Sequence, residues 1–324
     1  MRVTDGDRRW LAAAASIAAR GRPLSRPNPA VGAIVVRDGK VVSHGWTQPG
    51  GRPHAEAMAL LIAGGDAKGA TLYVTLEPCA HRSERGPACA DLVCAAGLAR
   101  VVVGCQDPDP RTSGEGIARI RSSGIECDLT ASSECERSLA GYLIRARIRR
   151  PEITLKLATS LDGCIAMTDG RSQWITGEAA RAHTHAMRAR ADAILVGGGT
   201  LRADAPRLDV RLPGLETLSP ERWVLTRGDV PAGWRALPSP DAVYSMSHVQ
   251  YLFVEGGAQA ASAFLKAGLV DQLLLYRAPI LIGSGRPSLG DIGLSTLAEA
   301  HGQWRLADRR QLGSDTLEVF DRQV

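Results

Sequence analysis

Residues 71–79 read Thr-Leu-Tyr-Val-Thr-Leu-Glu-Pro-Cys. Thr71–Leu76 is a run of β-branched, aromatic and aliphatic residues, the length and composition of one buried strand. Pro78 cannot continue a ladder, so Cys79 is left at the strand's carboxyl end. Upstream, the turn Gly50-Gly51-Arg52-Pro53 leads into His54-Ala55-Glu56 at the start of a predicted helix over Ala55–Ala63, closed by Gly64-Gly65. Downstream, Ala88–Ala96 is a second predicted helix, ending at Gly97, with Cys89 at its start. Strand and helix therefore alternate around three residues able to bind a metal.

The alternation extends in both directions. Ala33–Val36 and Val41–Ser43 flank Asp38-Gly39, a hairpin signal. Val101–Gly104 reads as a strand, Gly116–Ser122 as a helix, and Glu134–Arg149 as an arginine-rich helix stopped by Pro151. A second unit begins there. Strands are expected at Ile153–Ala158, Ala193–Val196, Arg222–Leu225, Tyr251–Val254, Gln272–Tyr276 and Thr316–Phe320, with helices over Glu178–Arg190 and Ala258–Ala267. Residues 212–248 are proline-rich with little periodicity and read as loop around one strand. The pattern predicts two α/β layered domains, 1–148 and 151–324, with no internal repeat.

Composition narrows the function classes. The chain has 324 residues, about twice the length of one average domain. An apolar share of 44% and a charged share of 23% exclude global disorder. The longest uncharged apolar run, Leu11–Ala19, is too short for a membrane span, and Asp5 and Asp7 before it do not suit a signal peptide. The net charge of +5 resides in the first half, and 35 of the 39 basic residues are arginine. Few aromatics accompany them, so a nucleic-acid groove with stacking platforms is not expected. Seven cysteines without framework spacing read as cytosolic thiols, some available to a metal.

His54, Cys79 and Cys89 offer one imidazole and two thiolates, a donor set that suits tetrahedral Zn²⁺ with its fourth position left to water. Glu56, beside the ligands without being one, can take the water's proton and pass it on to a ring nitrogen and a departing amine. This H-x-E and P-C chemistry is that of zinc nucleobase deaminases generally. Cys94, Cys105, Cys127, Cys135 and Cys164 read as small buried fillers. In the second unit, Gly197–Gly199 and Gly256-Gly257 connect strand to helix and present backbone N–H groups to which a pyrophosphate could bind. Arg188 and Arg211 could grip a monoester phosphate.

Three motifs, Arg26-Pro27-Asn28-Pro29-Ala30-Val31-Gly32, His54-Ala55-Glu56 and Thr75-Leu76-Glu77-Pro78-Cys79-Ala80-His81, resemble the deaminase half of the bifunctional RibD family of riboflavin biosynthesis, and Gln106-Asp107-Pro108-Asp109-Pro110 continues the likeness. The resemblance implies a cytidine-deaminase-like three-layer domain. It also implies hydrolytic deamination of 2,5-diamino-6-(5-phosphoribosylamino)pyrimidin-4(3H)-one. On this reading His54, Cys79 and Cys89 bind zinc, Glu56 shuttles protons, and Asn28 and His81 lie near the substrate. Two departures stand out: the stretch Ala80–Ala88 is one residue longer than the common form, and Thr47 occupies a position where many relatives have histidine.

Leu155–Gly163, Ser172–Thr176, Thr200–Pro206, Val254–Gly257 and Ala278–Gly283 likewise resemble the family's reductase, a dihydrofolate-reductase-like α/β domain. This implies NADPH-dependent reduction of the ribosyl group to ribityl. Carried over by position, Ala158, Trp174, Thr200, Asp204 and Gly257 contact NADPH. Lys156, Ser172, Arg188, Leu208, Arg211 and Glu255 contact the substrate, the two arginines at its phosphate. Only 43 residues separate Arg211 from Glu255, short for the family, so one strand–helix unit is expected to be missing between 212 and 250. An exposed sheet edge there would suit a homodimer. The expected partner is a small pyrimidine ribosyl phosphate in the cytoplasm, with no nucleic acid and no membrane. Two other readings remain: a deaminase whose second domain is a non-catalytic remnant, and a nucleic-acid deaminase, the latter disfavoured by the wide Cys79–Cys89 spacing.

Overall fold

The computed structural model describes residues 3–81 and 84–323. Arg82 and Ser83, in the lengthened stretch between the cysteines, lie outside the described residues. The chain divides into two compact units after Arg149.

The first unit runs α1 (Asp5–Ala18), β1 (Gly32–Arg37), β2 (Lys40–Trp46), α2 (Ala55–Ala63), β3 (Thr71–Leu76), α3 (Cys89–Ala95), β4 (Arg100–Cys105), α4 (Glu115–Ser122), β5 (Glu126–Leu129), α5 (Ser133–Ser138) and α6 (Ala140–Ile148). Its sheet has the order β2-β1-β3-β4-β5. β1 is antiparallel to β2 and β3, whereas β3, β4 and β5 are parallel. The β1–β2 turn is tight because Asp38 and Gly39 both take positive φ, 53° and 71°. Two glycines set the layers. A methyl on Gly32 would fall 2.0 Å from the carbonyl oxygen of Ala14 in α1, and one on Gly45 would fall 2.5 Å from that of Ala55 in α2. Gly32 and Ala33 are consecutive, and Ala33 pairs with Gly45. Successive strand residues face opposite ways, so α1 and α2 cover opposite faces and the unit has three layers. The helix expected over Glu134–Arg149 is interrupted at Leu139, whose fully buried side chain belongs to the core.

The second unit runs β6 (Glu152–Thr159), β7 (Cys164–Ala166), α7 (Glu178–Arg188), β8 (Ala193–Gly197), α8 (Gly198–Asp204), β9 (Glu221–Leu225), β10 (Trp234–Leu237), β11 (Tyr251–Glu255), α9 (Ala258–Lys266), β12 (Gln272–Arg277), β13 (Arg286–Pro287), β14 (Trp304–Leu312) and β15 (Asp315–Arg322). The main sheet has eight strands in the order β10-β9-β8-β11-β6-β12-β15-β14. The first six are parallel, and β15 and β14 complete an antiparallel edge. Side-chain alternation sorts two cores. Leu155, Leu195, Val254 and Phe264 pack on the α9 face, and Ile194, Phe253, Tyr276 and Ala180 on the α7 face.

This corrects the reading of residues 212–248. The segment supplies two strands, β9 and β10, where one was expected. The β10–β11 crossover consists of 13 residues built around a 3-10 turn, Pro240–Ser245. Trp234–Leu237 has four residues and an exposed middle, which leaves no apolar periodicity to detect.

Candidate functional site

In the first unit the metal-ligating residues meet at element ends. His54 is the N-cap residue of α2, Glu56 lies in that helix's first turn, Cys79 follows β3, and Cys89 opens α3. His54 Nδ1 is 3.2 Å from Cys89 Sγ and 3.6 Å from Cys79 Sγ. The Cys89 backbone N–H donates to Cys79 Sγ at 3.3 Å. The three donor atoms lie within 4.8 Å of one another, and one imidazole with two thiolates is a donor set that fits zinc. Cys94 is half-buried, with Sγ 3.8 Å from the Arg119 carbonyl, outside this group.

The electrostatics follow from burial and closeness. Glu56 is 3% exposed. Burial raises its carboxyl to about 7, although the His54 charge opposes the rise. The hydrogen bond from Cys89 lowers the Cys79 thiol to about 4, while that same contact and burial push Cys89 up. The Asn28 amide nitrogen lies 3.1 Å from the Gly51 carbonyl and 3.2 Å from His54 Nε2, so Asn28 steadies the histidine ring and the turn before it. Thr47 is buried, and its hydroxyl accepts the Val31 N–H at 2.9 Å.

An open cleft of about 420 Å³ above these residues is lined by Arg52, His54, Arg85, Pro87, Cys89 and Leu92, among others. The motif residues after β3 reach the loop that follows β4. There His81 Nδ1 is 3.3 Å from Thr112 Oγ1. Glu77, quoted in the motif but given no role from sequence, accepts the backbone N–H groups of Asp107, Gly114 and Ile117 at 3.3, 3.0 and 3.1 Å. Its position in the run before Cys79 was the available signal.

In the second unit Lys156, Arg188 and Glu255 come together on the α7 face. Glu255 takes Arg188 Nε at 2.6 Å and Nη2 at 2.9 Å, with Lys156 Nζ at 4.0 Å. Burial works to raise the Glu255 carboxyl, but the Arg188 charge and hydrogen bonds hold it below its ordinary value. Burial lowers the Lys156 ammonium. Arg188 Nη1 donates to the Asp209 carbonyl at 3.0 Å, so three of its five N–H groups are already committed. Arg211 is more open, its Nε 3.4 Å from Asp209 Oδ1.

β8 and β11 are parallel neighbours, so the glycine turns after them stand side by side. A methyl on Gly257 would come within 3.2 Å of Thr200 Oγ1. The first turn of α9, whose N-cap residue is Gly257, carries no side-chain cap. Such a paired turn fits the pyrophosphate of a dinucleotide. Ala158 lies near the carboxyl end of β6, and Asp204 is exposed at the end of α8. Trp174 is 63% exposed, with Arg181 stacked 4.9 Å from its ring centre. It lines a separate depression with Ala278, Pro279 and Asp315, which Thr200, Asp204 and Gly257 do not line. Ser172 is half-buried, and Leu208 is buried with φ +54°.

No helix among the described residues is long and apolar enough to cross a membrane. Residues 151–317 match the family described as RibD C-terminal domain, and residues 4–105 match the cytidine and deoxycytidylate deaminase zinc-binding region. Escherichia coli riboflavin biosynthesis protein RibD is 38% identical, covering 95% of this chain and 97% of the relative. The Aquifex aeolicus protein of that name is 36% identical, covering 99% of both. Among solved structures, Acinetobacter baumannii RibD superposes with a TM-score of 0.84 at 33% identity, over 98% of this chain and 99% of that one. The Thermotoga maritima diaminohydroxyphosphoribosylaminopyrimidine deaminase/5-amino-6-(5-phosphoribosylamino)uracil reductase gives 0.85 at 28% identity, with the same coverage.

Proposed function

The chain belongs to the RibD family of bifunctional riboflavin-biosynthesis enzymes, a zinc-dependent deaminase joined to an NADPH-dependent reductase, and from this premise we propose how its residues divide the two reactions. The substrate is a pyrimidine carrying a ribosyl phosphate. Deamination comes first, at the first unit, and replaces a ring amino group by oxygen. His54, Cys79 and Cys89 would hold zinc, which when bound supplies an activated water near neutral pH.

Glu56 moves the protons. Burial raises this carboxyl, which helps it hold a proton between transfers and so serve as base and then acid in one cycle. Glu56 takes one proton from the water's oxygen and passes it to the ring nitrogen, then takes the second proton of that oxygen and passes it to the departing amine. Asn28 keeps the histidine ring in place, and His81, with the loop anchored by Glu77, faces the substrate. The observation that carries this reading is the convergence of His54, Cys79 and Cys89 beside the buried Glu56.

Reduction uses the second unit. NADPH, held by Ala158, Trp174, Thr200, Asp204 and Gly257, supplies the hydride when bound. Lys156 and Glu255 orient the sugar, and orientation is the main contribution a protein makes to hydride transfer. Because Glu255 and Asp209 occupy most of the Arg188 fork, Arg211 is the arginine that grips the phosphate. Ser172 and Leu208 complete the substrate's surroundings. The free thiols of all seven cysteines support a cytoplasmic enzyme.

Glu56→Gln tests the assignment. It should retain about one zinc per chain by metal analysis and lose ammonia release by about 10³-fold. The same preparation should still reduce substrate that has already been deaminated. Turnover near the wild-type rate would remove Glu56 from the reaction. We also propose a homodimer through the second unit, supported by its open β14 edge and by the exposed Leu281, Leu297 and Leu306. Light scattering should give about twice the chain mass, and a monomer at micromolar concentration would refute it.

A further inference from the structure

The loop through residues 207–211, which provides Leu208 and Arg211, is held by two side chains of α7. Arg188 Nη1 donates to the Asp209 carbonyl. His185 Nδ1 lies 3.1 Å from that same carbonyl and 3.3 Å from the backbone nitrogen of Arg211. One ring nitrogen cannot donate and accept together. The Asp209 carbonyl already has its N–H from Arg188, so the arrangement that satisfies every group has Nδ1 accepting from Arg211 N–H, with the ring proton on Nε2. Immediately before these two anchors Leu208 adopts φ +54° with its side chain buried. That conformation is costly for leucine and persists only where its surroundings enforce it.

We propose that His185 is a positioning residue of the reductase: its unprotonated Nδ1 fixes the Arg211 backbone and so holds the strained Leu208–Arg211 loop in the shape that receives the phosphoribosyl group. This deepens the function proposed above and rests on the assignment of Leu208 and Arg211 to the substrate. The groups that face the imidazole are Arg188 on its own helix, Asp209 and Arg211 in the loop, and Glu255 on β11. Burial, then Arg188 and Arg211, keep it neutral below the usual histidine range, against the pull of the Asp209 carbonyl and Glu255. His183, two residues earlier, bonds Tyr276 instead.

The sign of the pH effect follows. Once protonated, Nδ1 can no longer accept from Arg211 N–H and donates to the Asp209 carbonyl instead, which releases the Arg211 backbone. KM for the phosphoribosyl substrate should therefore rise on the acid side, at a pH below the ordinary histidine range. The substrate's own phosphate titrates in the same region, so variants must separate the two effects.

The experiment measures NADPH-dependent reduction of the enzymatically deaminated phosphoribosyl substrate from pH 5 to 9 by the full-length protein. Wild type is compared with His185→Ala, His185→Asn and Arg211→Ala. His185→Ala should raise the substrate KM about tenfold at pH 8, with kcat and the KM for NADPH within about twofold of wild type. His185→Asn places an amide oxygen where Nδ1 stands. It should restore the low KM at pH 8 and show only the phosphate's share of the acid rise. An unchanged KM in His185→Ala beside a raised one in Arg211→Ala would overturn the role of His185 alone. So would a loss confined to kcat in both His185 variants. An unchanged KM in Arg211→Ala would remove the loop from the substrate site, and this proposal with it.

Discussion

Glu255 stands between two cations, and neither Arg188 nor Lys156 has another carboxylate within ion-pair distance among the described residues. Removing its charge would strand the buried Arg188 and the half-buried Lys156, which is far more costly than the intact cluster is stabilising. Glu255→Gln should therefore reduce the kcat of NADPH oxidation about 10²-fold, the effect expected of a misplaced sugar, while ammonia release stays at the wild-type rate. Equal loss of both activities would instead indicate general unfolding. Residues of this kind differ in how far sequence reveals them. His54, Glu56, Cys79 and Cys89 sit where a strand or turn meets a helix, and there spacing alone directs side chains to one end of the layers. Glu77 and His185 were not legible as functional. Their partners are backbone N–H and carbonyl groups 24 to 40 residues away, and a backbone group leaves no mark in a sequence.

At the scale of elements, α1 shows how one carboxylate can dock a helix. Asp7 closes a capping box with Thr4, takes the Tyr73 hydroxyl at 2.9 Å and receives Arg100 at 2.9 Å. Burial works to raise its pKa, but the Thr4 backbone and Arg100 hydrogen bonds hold it below the ordinary carboxylate value. A depressed carboxylate contributes stability that is fully present above its unfolded pKa and lost as the pH falls through the folded one. Asp7→Asn should thus cost about 2–4 kcal/mol at pH 7. Its stability should also fall less steeply than that of wild type below about pH 4. Calorimetric unfolding of the first unit's transition between pH 3 and 7 checks both; parallel curves would deny Asp7 its share of the acid dependence. Most elements of this unit could be read from sequence because glycine turns bracket apolar runs, as Asp38-Gly39 does for the hairpin. β14 and β10 could not. Trp304–Leu312 is an edge strand whose apolar Trp304, Leu306 and Leu312 are interrupted by Arg305, Arg309 and Arg310 and by a bulge after Leu306, so a sustained period of two is absent.

The whole molecule carries two chemistries with separate requirements, and chelation should split them. Removing zinc should abolish ammonia release yet leave reduction of the deaminated substrate intact, and readdition of zinc should restore the first activity. Cys89→Ala should mimic the chelator and Cys94→Ala should not; the reverse pattern would reassign the third ligand. The match of both units to one family over nearly the full chain could be anticipated from motifs that lie at strand ends. The content of the 212–250 segment could not be read, because a residue count does not say how many strands it holds. The structure places two strands there and a β10–β11 crossover of 13 residues. Val243, Met246 and Val249 from that crossover are nearly or wholly buried and roof one face of the sheet. The crossover therefore acts as a ratchet on gene length. Each doubling of its length would add only about 0.6 kcal/mol of closure entropy, whereas trimming it further would strip the roof, so descendants of this chain can gain codons there far more readily than lose them.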